Sequence, residues 1–422
     1  MTKKITSIFM WLTIAVLSAL AQPITNTVHK HKIKTVLCHK LGWPLSYPII
    51  GLNGNDQIEL SFDDLDGETK DFYYNIIHCD KNWEPSQLME TEYLNGINEV
   101  PILDYVYSFN TSIDYVHYNI VLPNNDIELL VSGNYIIQVY EDNDTNNLVL
   151  TQRFMVNEQK VNVIPSVKYT MNSDLRKAKQ EIDLTIKHSD FNFSNPLEEV
   201  NVSLFQNGRT DNAITKLKPQ FIKHNELVYN YNRETMFEGG NEFRWLDIRS
   251  LRFQSSKIKD ISFHDPYYHV ELFPDMSVAG RSYYFNNDFN GRYVIEVQEK
   301  DEHEREADYV YVHFSIPSQP LAGGDVHILG GLTNWKLDEA SKMKYNFDFK
   351  QYEASLLLKQ GFYNYQIAFK PNNLDQASVS MFEGSHSKAE NDYLVIVYYR
   401  GMGDYYDRLI GVSQVNSVTS RQ

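Results

Sequence analysis

Apolar side chains recur at every second position in one short segment after another, and that period limits what the chain can build. Ile58, Leu60 and Phe62 alternate with Gln57, Glu59, Ser61 and Asp63, and Ile182, Leu184 and Ile186 alternate with Glu181, Asp183, Thr185 and Lys187. Val200, Val202 and Leu204 repeat the pattern, as do Val310, Val312 and Phe314, while 294–297 follows it less cleanly. Successive side chains of a strand point to opposite faces, so a period of two marks antiparallel strands with one face buried. The 29 Tyr and 22 Phe agree, because aromatic rings suit pleated surfaces. Turn residues punctuate the segments at Asn53-Gly54, Gly133-Asn134, Asn207-Gly208 and Asn290-Gly291. Helical periodicity is scarce, with short helices expected only near Ser86 and over 244–251. The pattern predicts an all-β chain of tandem immunoglobulin-like sandwiches. Its strands are shorter than the roughly ten-residue segments of an outer-membrane barrel.

The N-terminus bears on the compartment. Lys3 and Lys4 precede an apolar run, Ile5 to Leu17, and Ala19-Leu20-Ala21 supplies the small residues that signal peptidase accepts. Residues 1–21 therefore read as a cleaved signal peptide with Gln22 as the first mature residue. The residue at the cleavage site is Gln22 and not a Cys, and no later run has the roughly 20 apolar residues of a membrane-spanning helix. Removing Lys3 and Lys4 takes the formal charge from −16 to −18. A chain this acidic repels phosphate backbones, which argues against nucleic-acid binding. Two boundaries are expected, near 157–160 and in the Pro- and Gly-rich stretch 315–324. They divide the chain into sandwiches over 22–157, 158–318 and 319–400, with a tail over 401–422.

Chemistry-bearing motifs are sparse. No Gly-x-Ser-x-Gly elbow, His-Glu-x-x-His or phosphate loop is present, which favours a non-catalytic chain without a cofactor. The acidic clusters Asp63-Asp64-Leu65-Asp66 and Glu141 to Asp144 lack calcium-loop spacing and read as solvated turns at strand ends. His29 and His31, His264-Asp265 and His78-Cys79 complete no catalytic or metal set. Cys38 and Cys79 have two readings. Paired, they close a loop of about 40 residues worth about 3–4 kcal/mol; unpaired, they are two free thiols.

Two resemblances follow from longer phrases. Val326 to Trp335, then Tyr352 to Lys359, then Gly361 to Phe369 resemble the early-set immunoglobulin-like modules related to glycogen-binding domains. Sugar binding in those modules implies stacking and polar roles for Trp335, Lys336 and Tyr352. Over nearly the whole chain, Pro44 to Pro48, Tyr73 to Asp80, Asn82 to Ser86, Gly240 to Asp247, Glu306 to Val310, Glu383 to His386 and Tyr405 to Ile410 occur in order. This combination resembles the plug proteins of the type 9 secretion system of Bacteroidetes. The resemblance implies a periplasmic subunit, peripheral to the outer membrane. It would dock on the large outer-membrane translocon barrel and close its periplasmic mouth when no substrate is present. No catalytic residues come with that family. Tyr267, Tyr268, Tyr283 and Tyr284 lie in aromatic-rich stretches of the composition expected of contact anchors. A carbohydrate-binding module is the alternative.

Overall fold

The structure is a computed structural model that describes residues 23–420. The leader read over residues 1–21 lies outside them. Nearly all the regular structure is β, in three sandwiches, and the helices among the described residues are single turns such as Glu90–Tyr93. No described helix is long and apolar enough to cross a membrane.

The first sandwich sets two sheets face to face. One orders Thr27–Val28, Leu148–Asn157, Gly133–Glu141, Phe72–Cys79 and Val100–Pro101, with Ile49–Gly51 parallel along Leu148–Asn157. The other orders Ile33–Lys40, Ile58–Asp64, Val116–Leu122 and Tyr105–Tyr107. The alternation seen at Ile58, Leu60 and Phe62 points these side chains inward. There they meet Tyr74, Ile76, Tyr135 and Ile137 from the opposing sheet in one apolar core.

The second sandwich is discontinuous. Its first sheet runs Asn162–Tyr169, Lys179–Lys187, Glu226–Tyr229, Phe221–Lys223. Its second runs Ile214–Leu217, Val200–Gln206, Asp392–Tyr399, Arg408–Asn416. Tyr393, Val395 and Val397, from near the C-terminus, face Ile182, Leu184 and Ile186 in its core. The third sandwich is inserted between Met236–Glu238 and Asp392–Tyr399. It comprises Arg244–Asp247, Ile258–His264, Tyr267–Leu272, Tyr293–Ile295, Tyr309–Pro317 and every strand from Gly324–Leu329 to Gly361–Pro371.

This arrangement corrects the division into 158–318, 319–400 and a 401–422 tail. The Pro- and Gly-rich stretch 315–324 is only a turn between two strands of one sandwich, Tyr309–Pro317 and Gly324–Leu329. The supposed tail is the edge strand of the second sandwich, antiparallel to Asp392–Tyr399. Residues 244–247, expected to begin a helix, form a strand because their backbone pairs with Gly361–Pro371.

Candidate docking surfaces

The three sandwiches are tied together by buried polar groups, which define the rigid body available for docking. The junction of the first and third centres on Asp63, which is 0% exposed. Its Oδ1 accepts from His117 Nδ1 at 2.6 Å, and its Oδ2 accepts from Tyr309 Oη at 2.5 Å and Lys359 Nζ at 2.6 Å. With the Tyr309 proton committed to Asp63, Thr35 Oγ1 donates to Tyr309 Oη at 2.5 Å. Lys359 also donates to the Glu304 carbonyl at 2.6 Å, and its ammonium lies 4.3 Å from the Tyr115 ring centroid. Burial alone would raise the Asp63 carboxyl, but the Lys359 charge and the His117 hydrogen bond hold it below its usual range. Asp63 is therefore an interdomain anchor and not the solvated turn that its acidic neighbours suggested. Asp64, also fully buried, pairs with Lys70 at 2.7 Å. Among the described residues no group of three His, Cys, Asp or Glu side chains converges as a metal site.

The first and second sandwiches meet through Arg408, which reaches both oxygens of Glu158 at 2.7 Å, and through Tyr398, which donates to Asn134 Oδ1 at 2.8 Å. Ile49 joins Ile396, Tyr398 and Leu409 in an apolar cluster at this seam. All three sandwiches touch at Arg292. Its Nη1 donates to Asp392 Oδ2 at 3.0 Å, and its guanidinium lies 4.6 Å from the Tyr47 ring centroid. Trp335 lies beside this point. It follows Asn334, and both take positive φ, 51° and 57°. Its ring meets Phe243 edge-on at 6.0 Å and covers Gly291, where a Cβ would come within 2.3 Å of the indole. Gly291 is thus needed both for its φ of 81° and for space.

An acidic group lies where the third sandwich enters and leaves the second. Glu242 Oε1 accepts from Tyr283 Oη and from the Glu390 backbone at 3.1 Å, while Oε2 is buried without a partner. Burial pushes its carboxyl up to about 7 from 4.5, and the charges of Asp288 and Glu390 add to the rise. Asp288, capping Phe243 N and Asn290 N, is likewise pushed up to about 6 by burial. The folded state therefore binds these protons more tightly than the unfolded chain. Stability is greatest below the unfolded values and falls as pH rises through the folded ones, across about pH 4–7. Glu242→Gln keeps the accepting oxygen and removes the charge. It is expected to raise stability at pH 8 by about 1–2 kcal/mol and to flatten the decline between pH 5 and 8, as read by urea unfolding across that range.

The residues singled out in the sequence fall into different environments. Tyr267 lines a cleft between the first and third sandwiches. Tyr268 packs on the core of the third, its ring 4.9 Å from Phe263. Tyr283 is tethered to Glu242, whereas its neighbour Tyr284 is 81% exposed. Tyr352 is buried in the core, its ring 5.0 Å from Tyr345 and its hydroxyl accepting from Leu321 N. Trp335 fills a seam and Lys336 lines the cleft, so these three do not form one stacking platform. Cys38 and Cys79 are free thiols on opposing sheets of the first sandwich. Burial holds both above the usual thiol range, Cys79 at about 12. His78 is buried, bonded to Ser86 Oγ at 2.8 Å, and desolvation lowers it to about 4, so it is a packing residue.

Two surface features lay outside the sequence reading. The edge strand Tyr105–Tyr107 and the residues flanking it carry an exposed ladder, Leu103, Tyr105, Tyr107 and Phe109. The period of two was legible there, but its exposure was not. The other is the cleft itself, about 730 Å³, whose walls include Lys34, Tyr267, Tyr311, Lys336 and Leu357. His29 is held below its usual range by burial and by the charge of Lys336.

Comparison with known proteins places this architecture. The family described as "Type 9 secretion system plug protein 1st domain" matches residues 33–158, which is the extent of the first sandwich after its opening strand. No curated protein matches the chain. A crystal structure of a hypothetical protein from Parabacteroides merdae ATCC 43184 is 38% identical with a TM-score of 0.91, covering 93% of this chain and 99% of that one. Likeness of that extent means that the arrangement of all three sandwiches is shared. Residues 33–158 are thus a type 9 secretion system plug protein first domain, set in a three-sandwich chain whose whole architecture is shared with the Parabacteroides protein.

Proposed function

We propose that the protein is a non-catalytic periplasmic plug that docks on the outer-membrane translocon of the type 9 secretion system and closes its periplasmic opening when no substrate is present. The observation that carries this reading is the match of the first sandwich to the plug domain. Its physical properties suit the task. A plug must resist deformation across a wide opening, and here charged and aromatic groups lock three sandwiches at every seam. It must also offer contact area without opening its own core. The ladder Leu103, Tyr105, Tyr107, Phe109 and the exposed Tyr284 supply aromatic anchors of that kind. A leader over residues 1–21 would deliver the chain to the periplasm. The glycan alternative gains no support, since Tyr352 is buried and Trp335 occupies a seam.

The test is a mild-detergent pull-down of the tagged protein from its native envelope, with partners identified by mass spectrometry. A very large outer-membrane barrel protein is expected in the eluate. An eluate without any outer-membrane protein would overturn the docking reading.

A further inference from the structure

The cleft between the first and third sandwiches carries charge of the opposite sign to the chain as a whole. The formal net charge is −16, yet Lys30, Lys32, Lys34, Lys336 and Lys359 line this cleft against a single acid, Asp338. Three of these lysines are already engaged, Lys359 by the buried Asp63. Lys30 donates to Asn147 Oδ1 at 2.6 Å and lies 3.6 Å from Glu141, and Lys32 lies 3.7 Å from Asp66. Lys34 and Lys336 make no ion pair or side-chain hydrogen bond among the described residues. Lys34 is half-buried, and an ammonium taken out of water without a counter-ion costs folding free energy. Nothing within the fold repays that cost, whereas an anion arriving from outside would.

The strand that carries Lys34 also has an outer side on which no strand is paired. Ile33–Lys40 is the end strand of its sheet, and its register with Ile58–Asp64 slips between Lys34 and Leu37. Thr35 and Val36 therefore have no partner residues on that neighbouring strand, and Thr35 takes a φ of 48°. An open edge of this kind is what an extended polypeptide pairs with. The opposite wall presents Tyr267 and Tyr311, their ring centroids 5.1 Å apart, suited to an apolar side chain.

We infer that this cleft takes an extended acidic segment of a partner protein, laid along Ile33 to Val36 with its carboxylates on Lys34 and Lys336. A phosphate or an anionic sugar would neutralise the lysines but leave the bulged edge unpaired, so the polypeptide fits more of the site. The source of the segment, a partner in the envelope, rests on the docking reading; the cleft chemistry is tested apart from it.

The probe is a fluorescein-labelled peptide of about ten residues alternating Glu and Val, long enough for one extended strand. Peptides alternating Gln with Val and Lys with Val are the controls, and binding to the full chain is followed by fluorescence anisotropy. The Glu peptide is expected to bind at least about tenfold tighter than the Gln peptide and to weaken as salt is added. Lys34→Ser with Lys336→Ser should lose about tenfold, whereas Lys30→Ser, at a lysine already paired, should lose far less. A thermal midpoint of the double variant at or above the parent's shows that the fold is kept. Equal binding of the Glu and Gln peptides, or an unchanged affinity in the double variant, overturns the inference. So does tight binding of a sulfated glucan by a chain that ignores the Glu peptide. If the parent captures an outer-membrane barrel from the envelope and the double variant captures it equally well, the cleft assignment fails while the docking reading stands.

Discussion

Asp63→Asn is expected to cost the folded chain about 3–5 kcal/mol, because it strands the buried Lys359 ammonium without its counter-charge. The side chain of Lys359 is 1% exposed, and its remaining partners are the Glu304 carbonyl and the Tyr115 and Tyr309 rings, none of which carries charge. The substitution also disturbs His117 and Tyr309, which both donate to the lost carboxylate. Adding Lys359→Met removes the orphaned charge and should recover more than half of the loss, since a buried pair is worth much less than either half left alone. Urea unfolding of the two single variants and the double variant gives the coupling directly. Additive losses, with no recovery in the double variant, would show that the Asp63–Lys359 pair does not hold the junction.

Arg292→Met is the second large effect, expected at about 3 kcal/mol. The arginine comes from the third sandwich, its carboxylate partner Asp392 from the second and its aromatic partner Tyr47 from the first. The substitution keeps an apolar stem in the seam but leaves Asp392, 6% exposed, without its cation. Arg292→Lys should not restore the parent's stability, because a compact ammonium cannot both lie flat on Tyr47 and reach Asp392. Thermal unfolding with limited proteolysis at residues 157–161 would show both the loss and its place. A midpoint within about 1 °C of the parent's would mean that the three-way contact is incidental.

The sequence reveals the strands better than their grouping. Period-two runs such as Ile58 to Phe62 and Ile182 to Ile186 are local signals, and both form strands with those residues in a core. The insertion of one sandwich into another leaves no such mark, because a strand is specified by its neighbours in the chain and its partner is not. A proline-rich turn at 315–324 and a true boundary look alike for the same reason. The candidate site was less legible still. Asp63 reads as the start of an acidic turn, and only the arrival of Tyr309 and Lys359 from the third sandwich makes it an anchor. Lys34 and Lys336 come from opposite ends of the chain, so the cleft has no sequence signature. The aromatic phrases were conspicuous, but exposure divides them: Tyr284 is open to solvent, Tyr283 is tied to Glu242 and Tyr352 is enclosed.

The insertion also governs the order in which the molecule can be finished. The chain leaves the second sandwich after Met236–Glu238 and re-enters at Asp392–Tyr399, and Asn391 Nδ2 bonds the Gly239 carbonyl across that gateway at 2.8 Å. A chain synthesised from its N-terminus can close the first sandwich early and the third as a self-contained loop. The second must wait, with the Val200–Gln206 edge uncovered, for its last two strands. The domain in the middle of the sequence is thus the last to be sealed, and the C-terminal residues act as its clasp.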